Sequence, residues 1–273
     1  MSTLLKSILV NIQYNMAEQT KTIQERFSLE GKVCIVTGAE GFLGKHYIEA
    51  LKEAGGIPVS LDIMGKPDFQ VDITSEQAVK EVVEKILATY GKIDVLINNA
   101  AMNPAVGDKN SEKLFAPVDE YPLELWTKEL AVNLTGMFIC SKAVIPVMKK
   151  QGKGVIVNVA SEVSEIAHDH RVYNTPGKYK SPAYVTTKTG VVGLTRSLAA
   201  QLGQYGIRVN AFSPGGVENL KMPKDFVERF GSANMFSRMA QPDEYNAAIV
   251  FLCSDASSFM TGHNLVVDGG KSA

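Results

Sequence analysis

The chain of 273 residues has no uninterrupted apolar run of 18 residues, so the sequence itself offers no membrane span. Net charge is nearly absent. The 28 Lys and Arg are balanced by 29 Asp and Glu, for a formal −1. That balance removes any electrostatic case for nucleic acid or an anionic membrane surface as partner. Cysteine is scarce. Cys34, Cys140 and Cys253 are odd in number and far apart, so no disulfide framework is expected. Cys34 and Cys140 lie in apolar runs and read as small core residues, which suits a reducing cytoplasm as the expected location. No internal repeat or low-complexity linker is present. The pair His168-x-His170 has no third ligand at metal-site spacing, so no metal is expected, and both are read as solvated loop histidines. Near the start, Leu4, Leu5, Ile8 and Ile12 form a helical stripe. Lys6 interrupts it and no small-residue cleavage site follows, so a signal peptide is not expected. Residues 1–27 read as an extension, helical or disordered, whose stripe could pack on this or a neighbouring subunit.

What the chain does contain is alternation. Apolar strand runs at Lys32–Thr37, Ile57–Asp62, Ile93–Ile97, Val155–Ala160, Ile207–Phe212 and Asn264–Val267 are separated by helical patterns. The helices are expected over Phe42–Ala54, from Thr74 to Tyr90, and over Leu123–Lys150, Ala183–Tyr205 and Pro242–Cys253. Strands joined through helices demand right-handed crossovers and a parallel sheet. One doubly wound α/β domain over residues 28–273 accounts for the pattern. Irregular loops interrupt it at residues 102–122, 162–182 and 219–240.

The first strand runs into Gly38, Gly41 and Gly44 and then a helix, the context that gives a glycine motif its meaning. Glycine permits positive φ and close backbone approach. The amides of Glu40, Gly41, Phe42, Leu43 and Gly44 would then meet the pyrophosphate of a dinucleotide. Asp62 ends the second strand, where a carboxylate accepts both ribose hydroxyls of NAD and repels a 2′-phosphate. Glu40 adds to that repulsion. No Arg stands at either place and Lys66 is the nearest cation, so NAD is expected over NADP. Asp72 is expected at the adenine edge, with Ile73 beside the ring; a surface helix cap is the other reading of Asp72.

Far downstream, Tyr184-Val-Thr-Thr-Lys188 opens a helix after a serine, Ser161, that ends an apolar run. Residues i and i+4 share one helix face, which sets Lys188 near the Tyr184 phenol. A nearby ammonium would lower the phenol pKa from about 10 and make Tyr184 a proton donor and acceptor for alcohol–carbonyl exchange.

Together these residues resemble the short-chain dehydrogenase/reductase family from about Leu29 to Gly270. The matching pieces are the glycine turn, Val71-Asp72, Asn98-Asn99-Ala100, Val132-Asn133, Val157–Ser161, Tyr184 with Lys188, Arg208-Val209-Asn210, Pro214-Gly215 and Val267–Gly270. The resemblance implies a Rossmann-type sheet of seven parallel strands with helices on both faces, assembled as a homodimer or homotetramer on its two long helices. It implies a catalytic set in which Tyr184 is the general acid/base. Lys188 lowers its pKa and holds the nicotinamide ribose, Ser161 bonds the substrate oxygen, and Asn133 positions a proton-relay water. Asn99 and Ala100 would line the cofactor cleft, with Pro214, Gly215 and Val217 at its nicotinamide end. Asn219 stands where a Thr usually meets the carboxamide. The implied activity is reversible hydride transfer between NAD(H) and a secondary alcohol or ketone.

The chain departs from the family pattern in places. Its turn spacing, T-G-x-x-G-x-x-G, looks like the family's longer branch, and Ala101 replaces a usual Gly. The interval from Ser161 to Tyr184 is long and carries Arg171, Lys178 and Lys180, which suit a polar or anionic substrate such as a sugar, sugar phosphate or hydroxy acid. That interval suggests a carbohydrate-modifying branch including flagellin-glycan reductases. Residues 219–240 read as a lid or as core. The competing readings are a 3-oxoacyl-thioester reductase and a catalytically silent cofactor-binding scaffold.

Overall fold

The computed structural model describes residues 21–103 and 109–273. The Leu4–Ile12 stripe and part of the 102–122 loop lie outside the described residues.

Seven strands form one parallel sheet: β1 Val33–Thr37, β2 Ile57–Asp62, β3 Phe69–Gln70, β4 Val95–Asn98, β5 Gly154–Val159, β6 Ile207–Pro214 and β7 Asn264–Val267. Their spatial order is β3-β2-β1-β4-β5-β6-β7. β1 is buried along its whole length, as a continuous apolar run covered on both faces should be. The expected seven-stranded doubly wound sheet is therefore present. β3 has only two residues, paired through Leu61 with Phe69 and Asp62 with Gln70. So short a strand leaves no alternation to read.

Helices α1 Ile23–Phe27, α2 Phe42–Glu53, α3 Glu76–Tyr90, α4 Leu123–Leu130, α5 Met137–Gln151, α6 Pro182–Leu202, α7 Lys224–Gly231 and α8 Asn246–Cys253 cover the two faces. One core packs Val79, Val83, Ile86, Val144, Met148 and Leu202 against the sheet; the other packs Tyr47, Leu51, Ile249 and Leu252 against it. α1 belongs to the domain rather than to an extension. Its Phe27 ring lies 6.2 Å from Phe251, and Lys21 pairs with Asp255 at 2.5 Å. The domain boundary thus moves from residue 28 to about Lys21.

The long helix expected over 123–150 is interrupted by a π turn, Ala131–Gly136, between α4 and α5. Two contacts from distant parts of the chain meet it. The Asn133 side chain turns toward the Met102 backbone, and Gly136 lets Ile73 sit so close that an added Cβ would lie 2.6 Å from Ile73 Cδ1. By length and composition alone the run Leu123–Gln151 is apolar enough to cross a membrane, a property that core helices share. Here α5 is a core helix, with Ile139, Cys140, Val144 and Met148 buried on the sheet.

The three irregular loops meet one another. Phe115, Val172, Tyr173, Phe226, Phe230 and Met239 form a separate apolar cluster that joins them into one wall beside the strand ends.

Candidate active site

The strand order reverses between β1 and β4, and in doubly wound sheets ligands bind where the strand ends part at that point. Gly38 ends β1 with φ +64°, and an added Cβ would lie 2.6 Å from Ala100 Cα. Only glycine lets the two strand ends approach this closely. Gly44 lies under the same turn, where a Cβ would fall 2.2 Å from Gly38 O. Asn99 Nδ2 donates to the carbonyls of Thr37 and Gly38 at 3.0 Å each. Thr37 Oγ1 accepts from the amides of Asn99 at 3.0 Å and Ala100 at 3.1 Å. Asn99 and Ala100 are therefore fixed to the glycine turn, and Thr37, which the sequence reading passed over, is the clasp. Gly41 is the N-cap of α2, and no side chain caps the first-turn amides of Phe42, Leu43 and Gly44. Uncapped amides at the positive end of a helix form an anion cradle.

At the end of β2, Asp62 accepts from the Glu40 amide at 2.9 Å and the Met64 amide at 3.0 Å. The Glu40 carboxylate folds over Gly65, where an added Cβ would meet its Oε2 at 2.7 Å, and pairs with Lys45 at 3.5 Å. Two carboxylates thus converge on the edge where a cofactor ribose would lie. Asp72 is exposed, and its Oδ1 accepts from the Thr74 amide at 2.9 Å and hydroxyl at 2.8 Å. Its side chain closes the turn before the helix, which Ser75 rather than Asp72 caps. Ile73 points into the core against Gly136, so its side chain does not lie beside an adenine ring; only its main chain is available there. At the other end, Pro214 is buried and the Gly215 amide donates to Val267 O at 2.9 Å. Val217 bridges to Ala240. Asn219 Oδ1 accepts from the Lys221 amide at 3.0 Å, which turns that side chain into a local loop cap.

Asn133 in the π turn, Ser161 just past β5, and Tyr184 and Lys188 at the start of α6 are all buried. Ser181 caps α6 by accepting from the Tyr184 amide at 3.1 Å, and Pro182 opens the helix. A Ser followed by Pro at the first helical position is a readable start signal. Lys188 Nζ donates to Val159 O at 2.7 Å and lies 5.6 Å from the Tyr184 ring centroid. The expected pairing of ammonium with phenol is therefore loose. Burial pushes the Tyr184 phenol up to about 12, and the opposing influence is the Ser161 hydroxyl rather than Lys188. Burial, with Lys180 nearby, drives Lys188 down to about 7. Asn133 holds the Met102 main chain on both sides, accepting from its amide at 2.7 Å and donating to its carbonyl at 3.0 Å. Its side chain is thus a staple for the loop after β4, and the π turn opens the helical ladder beside it.

Three groups that sequence reasoning undervalued complete the site. Glu129 is fully buried on α4 and accepts from Tyr121 and, at 2.7 Å, from Ser181. Burial raises its pKa, and its Oε2 has no partner. Glu162 forms a buried ion pair with Lys271 at 2.7 Å, and Lys271 lies 3.8 Å from the Phe230 ring centroid. His168 is not solvated. It sits among Tyr173, Phe230 and His170, its two nitrogens are buried without partners, and burial drives its pKa down to about 3. Among the described residues, no three His, Cys, Asp or Glu converge as a metal site.

A family model described as Enoyl-(Acyl carrier protein) reductase matches residues 21–272. A 3-oxoacyl-[acyl-carrier-protein] reductase of Thermotoga maritima is 35% identical over 89% of this chain and 98% of its own length. An NAD-dependent glycerol dehydrogenase of Listeria innocua is 33% identical over 92% of this chain and 97% of its own. The crystal structure of a short-chain dehydrogenase from Leptospira borgpetersenii with bound NAD+ superposes with a TM-score of 0.81 at 28% identity, covering 93% of this chain and 97% of that one. Near-complete mutual coverage, the glycine cradle and the buried Ser, Tyr and Lys agree: the chain belongs to the short-chain dehydrogenase/reductase family and is a nicotinamide-dependent oxidoreductase of alcohols and ketones.

Proposed function

We propose that the chain interconverts a secondary alcohol and its ketone on a polar, sugar-like substrate, with NAD rather than NADP as cofactor and with Asn133, Ser161, Tyr184 and Lys188 as its working residues. The observation that carries this reading is the joint burial of Ser161, Tyr184 and Lys188 at one end of a sheet whose other strand ends form a glycine cradle. The residues present fit a dinucleotide, because a Cβ at Gly38 or Gly44 would fill the close approach on which the cradle depends. The amides after Gly41 would hold the pyrophosphate, and Asp62 the ribose. Glu40 beside Asp62 supports NAD, since a 2′-phosphate would meet two carboxylates.

When bound, the nicotinamide accepts or returns the hydride. The protein moves the proton. In oxidation, Tyr184 as phenolate takes the substrate hydroxyl proton as the C–H bond breaks, and in reduction it returns that proton to the carbonyl oxygen. Ser161 donates to the substrate oxygen as charge develops there. Lys188, held by Val159 O and 5.6 Å from the Tyr184 ring centroid, would hold the nicotinamide ribose. Asn133 keeps the Met102 loop in place.

A polar substrate is supported by the polar wall of Lys180, the Glu162–Lys271 pair and the neutral His168, whose unpartnered nitrogens an acyl chain would leave unsatisfied. Self-association on the α5 and α6 faces suits the exposed Phe138 on α5. Three free, buried cysteines suit a reducing compartment such as the cytoplasm.

The test is steady-state NAD reduction over a panel of polyols, with Tyr184→Phe alongside. The variant is expected to lose turnover by about 10² or more while keeping its NADH affinity. Near-normal turnover rejects the assignment. Turnover of a 3-oxoacyl thioester above every polyol transfers the reading to that class, and tighter NADPH than NADH binding overturns the cofactor choice.

A further inference from the structure

We infer that Lys180 anchors an anionic group, a carboxylate or a phosphate ester, carried by the hydroxy substrate of this site. The inference rests on the oxidoreductase reading and names a substrate class that reading leaves open.

Charge accounting singles out this lysine. The inserted segment before Tyr184 brings three cations. Arg171 is satisfied by Asp169 at 2.8 Å and points outward, and Lys178 is satisfied by Glu112 at 3.0 Å. Lys180 forms no ion pair among the described residues. Its ammonium donates to Asn103 Oδ1 at 2.8 Å and stands 4.0 Å from the Tyr184 ring centroid. It is therefore closer to the reacting ring than Lys188, at 5.6 Å. A substrate oxygen must come within hydrogen-bond reach of the Tyr184 phenol. An acidic group a few bonds further along the same molecule would then meet Lys180.

The neighbouring carboxyls favour its charge but are engaged elsewhere rather than paired with it. Glu162 is taken by Lys271 at 2.7 Å. Burial holds Glu129 toward its protonated form, bonded to Tyr121 and Ser181. Burial keeps His168 neutral. Lys188 adds a second positive charge. Burial presses the Lys180 pKa down to about 8, and the nearby Glu162 and Glu129 carboxyls oppose that shift without forming an ion pair with it. An anionic substrate supplies a partner for the ammonium, whereas a neutral polyol or an acyl chain leaves it unpaired. A single ammonium with one amide beside it matches one anionic group rather than an extended polyanion.

The test uses the full chain loaded with NADH. Calorimetric titration of tartrate and of inorganic phosphate reads the anion site without turnover. One of the two is expected to bind, at least tenfold more weakly in Lys180→Ala and within threefold in Lys180→Arg, with NADH affinity unchanged in both. Lys178→Ala is the control and is expected to behave as the parent. Oxidation of glucitol, gluconate and glucitol 6-phosphate reads the same site in turnover. The ratio of kcat/KM for a charged member to that for glucitol should fall at least tenfold in Lys180→Ala, through KM. Gluconate leading identifies a carboxylate, and the phosphate leading identifies a phosphate ester. If NADH binds but neither anion does, or Lys180→Ala binds both as the parent does, the anion site is overturned and the oxidoreductase reading stands. An equal fall in kcat on neutral and charged members assigns Lys180 to the Tyr184 proton instead and overturns the inference. Failure to bind NADH overturns the oxidoreductase reading and the inference with it.

Discussion

The two halves of the cleft reach their geometry by different means. On the nucleotide side, positions are set by backbone that nearly touches backbone. Gly38 lies against Ala100, Gly44 against Gly38 O, and Thr37 and Asn99 close the seam. On the substrate side, positions are set by side chains from three separate loops, joined through Phe115, Tyr173, Phe226 and Phe230. Backbone contacts tolerate almost no change, while an aromatic cluster can repack at modest cost. The first construction suits a ligand of fixed shape, and the second suits a pocket whose shape must be adjustable.

Substitutions can break this contrast. The largest effect is expected in the nucleotide half. Gly44→Ala places a Cβ 2.2 Å from Gly38 O and 2.8 Å from Ala39 Cα, so the turn must move. A loss of NADH affinity of tenfold or more, with a melting temperature lower by several degrees, is expected from calorimetry and thermal scans; affinity within twofold would show that the seam is not rigid. Lys188→Met should abolish turnover yet stabilise the fold. The native lysine sits near 7 against its ordinary 10.5, so the unfolded chain holds this proton more readily than the folded one. The penalty therefore grows as pH falls from about 10.5 to about 7, is complete below that, and vanishes above 10.5. The variant's gain in melting temperature should accordingly be larger at pH 6 than at pH 10, and an equal gain at both would contradict the burial account.

The substrate half should respond more gently. Phe230→Ala removes the ring that Lys271 and His168 pack on. It is expected to raise substrate KM by about an order of magnitude and to cost about 2 kcal/mol in chemical denaturation, below the usual 3–5 for a phenylalanine in a main core. NADH affinity should not change, and if it does, the two halves are coupled. The smallest effect belongs to Glu129→Gln. Burial already favours the uncharged acid, and an amide oxygen can still accept from Tyr121 and Ser181. Activity within threefold and a flatter dependence of stability on pH are expected. A loss of tenfold would show that the carboxylate works ionised.

The nucleotide half was legible in the sequence because its determinants are local and each has a residue type. Positive φ and close approach call for glycine, and the strand end calls for Asp62. The sheet was legible because buried parallel strands are continuous apolar runs. Other features depended on contacts the sequence does not encode locally. The π turn adds a fraction of a turn within an unbroken apolar periodicity, and the residues it meets, Ile73 and Met102, are far away in the chain. His168 read as solvated because the ring that covers it, Phe230, arrives from another loop. The cations of the insertion read as one set until Asp169 and Glu112 removed two of them. The Tyr184–Lys188 spacing gave the shared helix face but not the Val159 carbonyl that holds the ammonium away. Ile73 was read beside an adenine ring because a strand end is an open place in sequence; in the fold its side chain faces the core, while Asp72 stays exposed and closes a turn.

Lys271 reaches back from the last turn of the chain and is nearly sealed from solvent beside the residue that follows Ser161. The segment that carries it is thus a strut for the reaction centre, and cutting that one tie would loosen the chemistry while leaving the sheet untouched.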